Sequence, residues 1–264
     1  LLPNKAKAFA RTLSVKTVND KVSAQMLSQF GLERKLEAWQ PPKKVFNELK
    51  QLTRERDQLM HEQTQIKNQI HAETSGAWVN QQSVKRMQKR LKFIAGQTEE
   101  IENEIAIIIE RDGFLKEKIK KICTIKGVGL ITAVTVIAET NGFNLIRNKK
   151  QLVSYAGLDV VERESGISIK GKSRISRKGN KYLRKCLHFP ALTGIRHTPV
   201  MKALFVRLVS KHGIKMKAAV AVQRKMLELI YILWKKDEVF DANYQNKTSF
   251  WGSNQYHCRN QQKT

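Results

Sequence analysis

Acidic residues are scarce in this chain. Asp and Glu number 23 against 49 Lys and Arg, a formal charge of +26 over 264 residues. Such a chain repels itself unless it meets a polyanion, so the partners to consider are nucleic acid, an anionic membrane surface or an acidic protein. Cysteine is also rare. Cys123, Cys186 and Cys258 are odd in number and far apart, which argues against a disulfide framework and a zinc site and favours a reducing cytosol. No apolar run approaches the ~18 residues of a membrane-spanning helix. The longest, Ile105–Ile109 and Val128–Ala138, are short or punctuated by Gly and Thr. No secretory signal opens the chain, and a cytoplasmic, nucleoid-associated location with no membrane partner is expected. The histidines form no HxxxH pair and read as surface or core residues. Trp39, Trp78 and Trp234 read as packing residues.

What is present is an ordinary apolar fraction of 41%, enough for a real core, with helical periodicity along most of the chain. Residues 1–40 read as a strand end, a short helix, and a second helix over "NDKVSAQMLSQFG". That helix is capped by Asn19 or Asp20, apolar at Val22, Met26, Leu27 and Phe30, and ended by Gly31. Pro41-Pro42 breaks the chain. Val45, Leu49, Leu52, Leu59, Ile66 and Ile70 then follow coiled-coil spacing, and so do Val84, Met87, Leu91, Ile94, Thr98, Ile101, Ile105 and Ile108. Two long helices, 43–72 and 83–121, are expected around a turn at "TSGAWVNQQ". They would form an antiparallel hairpin or pair with another copy. Residues 122–240 read as helices with glycine-rich joints, closing on a helix with Ala218, Val222, Met226, Leu229 and Leu233 in one stripe. The tail, 241–264, is polar and patternless and is expected to be disordered.

The charge is concentrated. Between Phe143 and Lys225 stand twenty Lys and Arg against Asp159, Glu162 and Glu164. Three stretches there and nearby could carry chemistry. "CTIKGVGLITAVTVIAE" has the form of a helix–hairpin–helix, in which Lys126, Gly127 and Gly129 would bring backbone N–H groups and a helix N-terminus to a phosphate. A tight turn between packed helices is the plain alternative. "ERESGISIKGKSRISRKGNKYLRK" reads as an irregular segment with Ser165 and Gly166 amid Arg163, Lys170, Lys172, Arg174, Arg177 and Lys178. Gly179-Asn180 then leads into a helix exposing Lys181, Arg184 and Lys185. This is either a basic loop gripping phosphates or the setting of a nucleophilic serine, whose attack on a phosphodiester would build charge that guanidinium groups stabilise. On composition alone Ser168, Ser173 and Ser176 rival Ser165. Asp20, in "KTVNDKVSA", is a helix cap or a magnesium ligand.

The segments "IKGVGLITAVTVIAET", "QLVSYAGLDVVERESGISIKGKSRISRKGNKYLRKCLHFPAL" and "IRHTPVMKALFVRL" resemble the C-terminal domain of insertion sequence 110/116/902 transposases. "NKAKAFARTLSVKTVNDKVSAQMLSQFG" resembles the last helix of that family's RNase H-like domain. The similarity spans about residues 3–240. It implies DNA strand cleavage and rejoining, a magnesium-binding set of four carboxylates (DEDD), a serine that forms a covalent link to DNA, a structured guide RNA, and assembly through the helical pair. On this resemblance Ser165 matches the nucleophile and Asp20 the third carboxylate, while Ser23 stands where the fourth is expected.

These readings combine into a mainly α-helical chain with four parts. Residues 1–40 would be a remnant of an RNase H-like α/β domain. Residues 41–121 would be a coiled-coil hairpin, used for homo-oligomer formation. Residues 122–240 would be the serine-bearing transposase domain, and 241–264 a tail. The start at Leu1 suggests a truncated, defective copy, with Mg2+ not held by this chain alone. The alternative is a catalytically inactive protein that binds nucleic acid and oligomerises.

Overall fold

The computed structural model describes residues 3–13, 17, 19–35, 41–144, 146–161, 164–165, 169–171 and 174–241. They are mainly helical and fall into two compact units, Leu1–Pro41 and Pro42–Thr264. Residues 242–264 of the tail, and Trp39, therefore lie outside the described residues.

The first unit holds α1 (Pro3–Thr12) and α2 (Asp20–Glu33). Asn19 caps α2, its Oδ1 accepting from the Val22 N–H at 2.8 Å. Asp20 is the first helical residue, where its charge suits the helix dipole. Gly31 does not end α2, which runs on to Glu33, because an isolated glycine costs only ~1 kcal/mol inside a helix. The two helices meet through Phe9 and Phe30, both buried, with ring centroids 4.8 Å apart edge to face.

The second unit opens with α3 (Lys44–Thr74) and α4 (Gln81–Arg111). The turn between them sends α4 back along α3, so that Arg56 Nε reaches Glu102 Oε1 at 2.6 Å. Leu49, Ile66, Val84, Ile94, Ile101 and Ile105 are buried, and Asn80 caps α4 with its side chain. Trp78, at the turn, is 94% exposed and packs no core, contrary to the sequence reading. The single second helix expected to reach residue 121 is broken. Asp112 leaves helical geometry and its Oδ1 accepts from the Leu115 N–H at 3.0 Å, starting α5 (Gly113–Ile122). An Asp-Gly pair supplies both the cap and the freedom for that break.

α6 (Leu130–Glu139) is apolar nearly all round, and Ala133, Val134, Val136, Ile137 and Ala138 are each at most 2% exposed. A helix of that kind belongs in a core, and α3, α5 and a later helix, Lys181–Cys186, pack around it. α7 (Lys149–Ala156) follows. Among the described residues the chain then forms β1 (Val160–Val161), β2 (Glu164–Ser165), β3 (Ile169–Lys170) and β4 (Arg174–Ile175). α8 (Lys181–Cys186), α9 (His188–His197), α10 (Pro199–His212) and α11 (Lys215–Lys236) complete the unit. α11 buries Ala218, Val222, Met226 and Leu233 as its stripe requires, and Leu229 is partly buried. Its far end joins Phe143, Tyr231 and Trp234, whose rings lie 5.3 and 6.0 Å from that of Phe143.

Candidate nucleic-acid interface

Within the segment expected to be irregular, the described residues pair as a ribbon. β1 and β4 are antiparallel, with Val160 opposite Ile175 and Val161 opposite Arg174. β2 and β3 are antiparallel inside them, with Glu164 opposite Lys170 and Ser165 opposite Ile169. The two pairings are nested in sequence, and Ser165, opposite Ile169, belongs to the inner pair.

The base of the ribbon is tied to the helical core. Ser176 Oγ donates to Asp159 Oδ1 at 2.6 Å, and the Ser176 N–H donates to the Asp159 carbonyl at 2.9 Å. The Asn180 N–H donates to the Tyr155 carbonyl at 2.8 Å. Gly179 makes this closure possible: a Cβ there would lie 2.5 Å from both the Gly157 nitrogen and the Tyr155 oxygen, a distance that only glycine tolerates.

Beneath the base lies a buried carboxylate that sequence reasoning missed. Glu139, whose side chain is 0% exposed, takes two bonds from Arg54, Nε at 2.7 Å and Nη2 at 3.0 Å, and one from Asn180 Nδ2 at 2.6 Å. A buried charge needs such pairing, and the pairing raises the Arg54 pKa above its usual value, chiefly through the hydrogen bond to Glu139. Arg54 also lies over the Tyr182 ring at 4.6 Å. Tyr155 donates its hydroxyl to the Glu139 carbonyl at 2.9 Å, and burial is the main cause that pushes its pKa up. Asn180 Oδ1 accepts from the Tyr182 and Leu183 N–H groups and so starts α8. One network thus joins α3, α6, α7 and α8. The signal was available: Glu139 is the lone acid in the apolar run "LITAVTVIAE", and a lone acid there must find a cation.

The cations singled out in sequence divide by their partners. Arg174, Arg177 and Lys178 are exposed on the ribbon or just after it, with Arg177 in left-handed backbone at φ 54°. Lys181 is exposed, its Nζ 5.1 Å from the Tyr182 ring. Arg184, expected on the exposed side of its helix, is only partly exposed and donates to the Ala156 and Asn180 carbonyls at 2.7 and 3.3 Å. Lys185 pairs with Asp57 of α3. Lys170 belongs to β3, while Arg163 and Lys172 lie outside the described residues. Beside α8 a groove of about 750 Å³ is lined by Gln51, Arg54, Asp57, His61, Lys181, Tyr182 and Lys185 among others. Cys186 is no rival nucleophile, since burial pushes its thiol up to about 12, and burial raises Cys123 as well.

The Gly-Val-Gly element falls where the sequence put it, between α5 and α6. Its first glycine faces protein. Gly127, at φ 95°, would drive a Cβ to 2.8 Å from the Pro190 carbonyl and 2.9 Å from Thr193 Cβ of α9. Gly129 precedes α6 with open space around it, and Lys126 is exposed. The helix packing there accounts for a glycine at 127, while Lys126, Gly127 and Gly129 are all exposed.

Asp20 is exposed in the first turn of α2, one turn before Ser23. Among the described residues no group of three His, Cys, Asp or Glu converges as a metal site. A magnesium ion favours several oxygen ligands in near-octahedral array, and Asp20 with a serine one turn on does not by itself fit it. No described helix is long and apolar enough to cross a membrane.

Fold and site together define a mainly helical protein in which exposed cations stand beside a paired segment tied at its base to a buried ionic network. The family described as Transposase IS116/IS110/IS902 matches residues 119–206, and a DEDD-type IS110 family, described as Transposase, matches residues 1–78. The pilin gene-inverting protein of Moraxella bovis is 26% identical over 235 residues, covering 89% of this chain and 71% of its own. The pilin gene-inverting protein of Moraxella lacunata matches equally. The transposase for insertion sequence element IS1111A of Coxiella burnetii is 28% identical over 128 residues, covering 47% of this chain and 35% of its own. The chain belongs to the IS110/IS116/IS902 transposase family.

Proposed function

We propose that this chain binds DNA and serves strand cleavage and rejoining in transposition or inversion, with Ser165 as the nucleophile. The observation that carries this reading is the paired segment itself: Ser165 belongs to its inner pair, Arg174, Arg177 and Lys178 are exposed on or just after its last strand, and its base is fixed by Asp159, Asn180 and Glu139. A serine Oγ that attacks a phosphodiester forms a phosphoserine ester and releases a sugar hydroxyl. Arg174, Arg177, Lys178 and Lys181 would neutralise the backbone and the charge that develops on phosphorus. Arg184, Asn180 and Gly127 act in this reading as supports for the ribbon and its surroundings, and Lys185 is shared with Asp57. Lys126 and Gly129 would add a phosphate contact that does not depend on base sequence. The relatives' names, gene inversion and transposition, fit DNA recombination.

Divalent metal dependence follows from the DEDD family, with Asp20 as the ligand here. Because Ser23 stands in place of a carboxylate, the chain acting alone is proposed to hold metal too poorly for cleavage. Residues 1–40 as part of an RNase H-like domain, assembly through a coiled coil at 43–121, and guidance by a structured RNA belong to the same reading. The test is a cleavage assay with Mg2+ and labelled duplex, run with this chain alone and mixed with a full-length relative whose own serine is alanine. No adduct is expected from the chain alone. In the mixture an adduct on this chain is expected, and Ser165→Ala should abolish it. Duplex binding without an adduct in either case would favour the second reading, a catalytically inactive nucleic-acid-binding protein, which the substitution at Ser23 supports. An adduct that survives Ser165→Ala would refute the assignment of the nucleophile.

A further inference from the structure

We infer that the outer face of α10 is a second phosphate-contacting surface, separate from the ribbon, and that its partner is duplex DNA. The inference rests on the DNA-binding reading above and extends it to residues that reading does not use.

Three observations carry it. First, the sequence holds no Asp or Glu from Ser165 to Leu227, so α10 lies in a stretch without a carboxylate to neutralise it locally. Second, α10 divides cleanly. Met201 is buried, and Leu204 and Phe205 are partly buried against Ala191 and Val222. The opposite half of the helix carries Lys202, Ala203, Val206, Arg207, Ser210 and Lys211, all exposed. Third, Lys202, Arg207 and Lys211 make no ion pair among the described residues, whereas Arg54, Lys118, Lys121 and Lys185 all do.

The chemistry selects the partner. At ~1.5 Å rise per residue the three cations span about 13 Å of helix. Duplex DNA presents roughly one charge per 1.7 Å of its axis, so several phosphates fall within that span. Ala203 and Ser210 between the cations are small and let the helix approach a backbone closely. A membrane surface fits less well. A lipid-bound helix buries its apolar face in the acyl boundary, and here that face is occupied by α9 and α11. Lys202, Arg207 and Lys211 therefore offer a contact that reads charge and not base sequence.

The test compares K202Q/R207Q/K211Q with a ribbon variant, R174Q/R177Q/K178Q, and measures duplex affinity against salt. Each lost phosphate contact removes about 0.9 from the slope of log affinity against log salt, so three should lower it by roughly 2.7. That loss is expected in the α10 variant, with a further loss when both sets are combined. An unchanged slope in the α10 variant beside a reduced slope in the ribbon variant overturns this inference and leaves the DNA-binding reading standing. Absence of duplex binding by the unaltered chain overturns both. Should the triple variant fail to fold, a photo-crosslinking residue at Ser210 in the otherwise unaltered chain decides. Crosslinking to duplex DNA supports the surface; crosslinking only to anionic vesicles, or no crosslink while the duplex is bound, refutes it.

Discussion

At the scale of single residues, Glu139 shows how an ion pair can be asymmetric. Its side chain is fully buried, while that of Arg54 is 42% exposed. Removing Glu139 leaves a cation that water can reach, whereas removing Arg54 strands a buried carboxylate with Asn180 as its remaining side-chain partner. Breaking a buried pair costs about 3–5 kcal/mol, and losing charged hydrogen bonds near solvent about 1.5–3 kcal/mol. Arg54→Ala should therefore destabilise the protein more than Glu139→Ala, near the first range against the second, measured by urea unfolding. The reverse order would contradict the burial assigned to the pair. Glu139 was legible in sequence as an anomaly, a charge inside an apolar helix. Its partner was not, because Arg54 is 85 residues away and on a helix whose own pattern gives no reason to prefer it over the neighbouring Arg56.

At the scale of elements, the ends of helices decide much of the architecture. Asp237 closes α11 in left-handed geometry, φ 61°, and its N–H donates to the Leu233 carbonyl at 2.9 Å. Its carboxylate meets Lys118 and Lys121 of α5 at 3.0 and 2.9 Å. Hydrogen bonds from Lys121 and then Lys118 hold its pKa below the usual carboxylate value. A carboxyl group depressed on folding contributes stability that is present above its unfolded pKa and is lost as pH falls through the folded one. Asp237→Asn keeps the left-handed turn and deletes the charge. The Tm gap between the two proteins should be full at neutral pH and close as pH falls through and below the ordinary carboxylate range; a gap independent of pH would show the pairs to be inert. Sequence periodicity located most helices because each needs only one apolar stripe. It missed the break at Asp112, where the stripe continues across two helices, and the ribbon, whose strands pair backbone to backbone and leave no periodic trace.

At the scale of the whole molecule, charge dominates. A net +26, concentrated from Phe143 to Lys225, implies that binding releases counterions from DNA. With roughly six to ten phosphates contacted, duplex affinity should fall about 10³- to 10⁵-fold between ~50 and ~200 mM salt, measured by fluorescence anisotropy. Affinity that holds across that range would contradict the electrostatic reading of both the ribbon and α10. The charge is also why so many cations stay at the surface: with few carboxylates available, only some of them, such as Arg54, Lys118, Lys121 and Lys185, find acidic partners within the fold.

By itself the sequence determined the helical class, the long helical pair, the Gly-Val-Gly joint and the basic character of residues 143–225, since all of these are written in local periodicity and composition. The tertiary structure decided which cations are free and which are spent inside, that Gly127 packs against α9, and that Ser165 lies on a paired ribbon anchored through Asp159, Asn180 and Glu139. Those outcomes depend on contacts between residues far apart in the chain, and no local pattern encodes which distant carbonyl, carboxylate or ring a given side chain will meet.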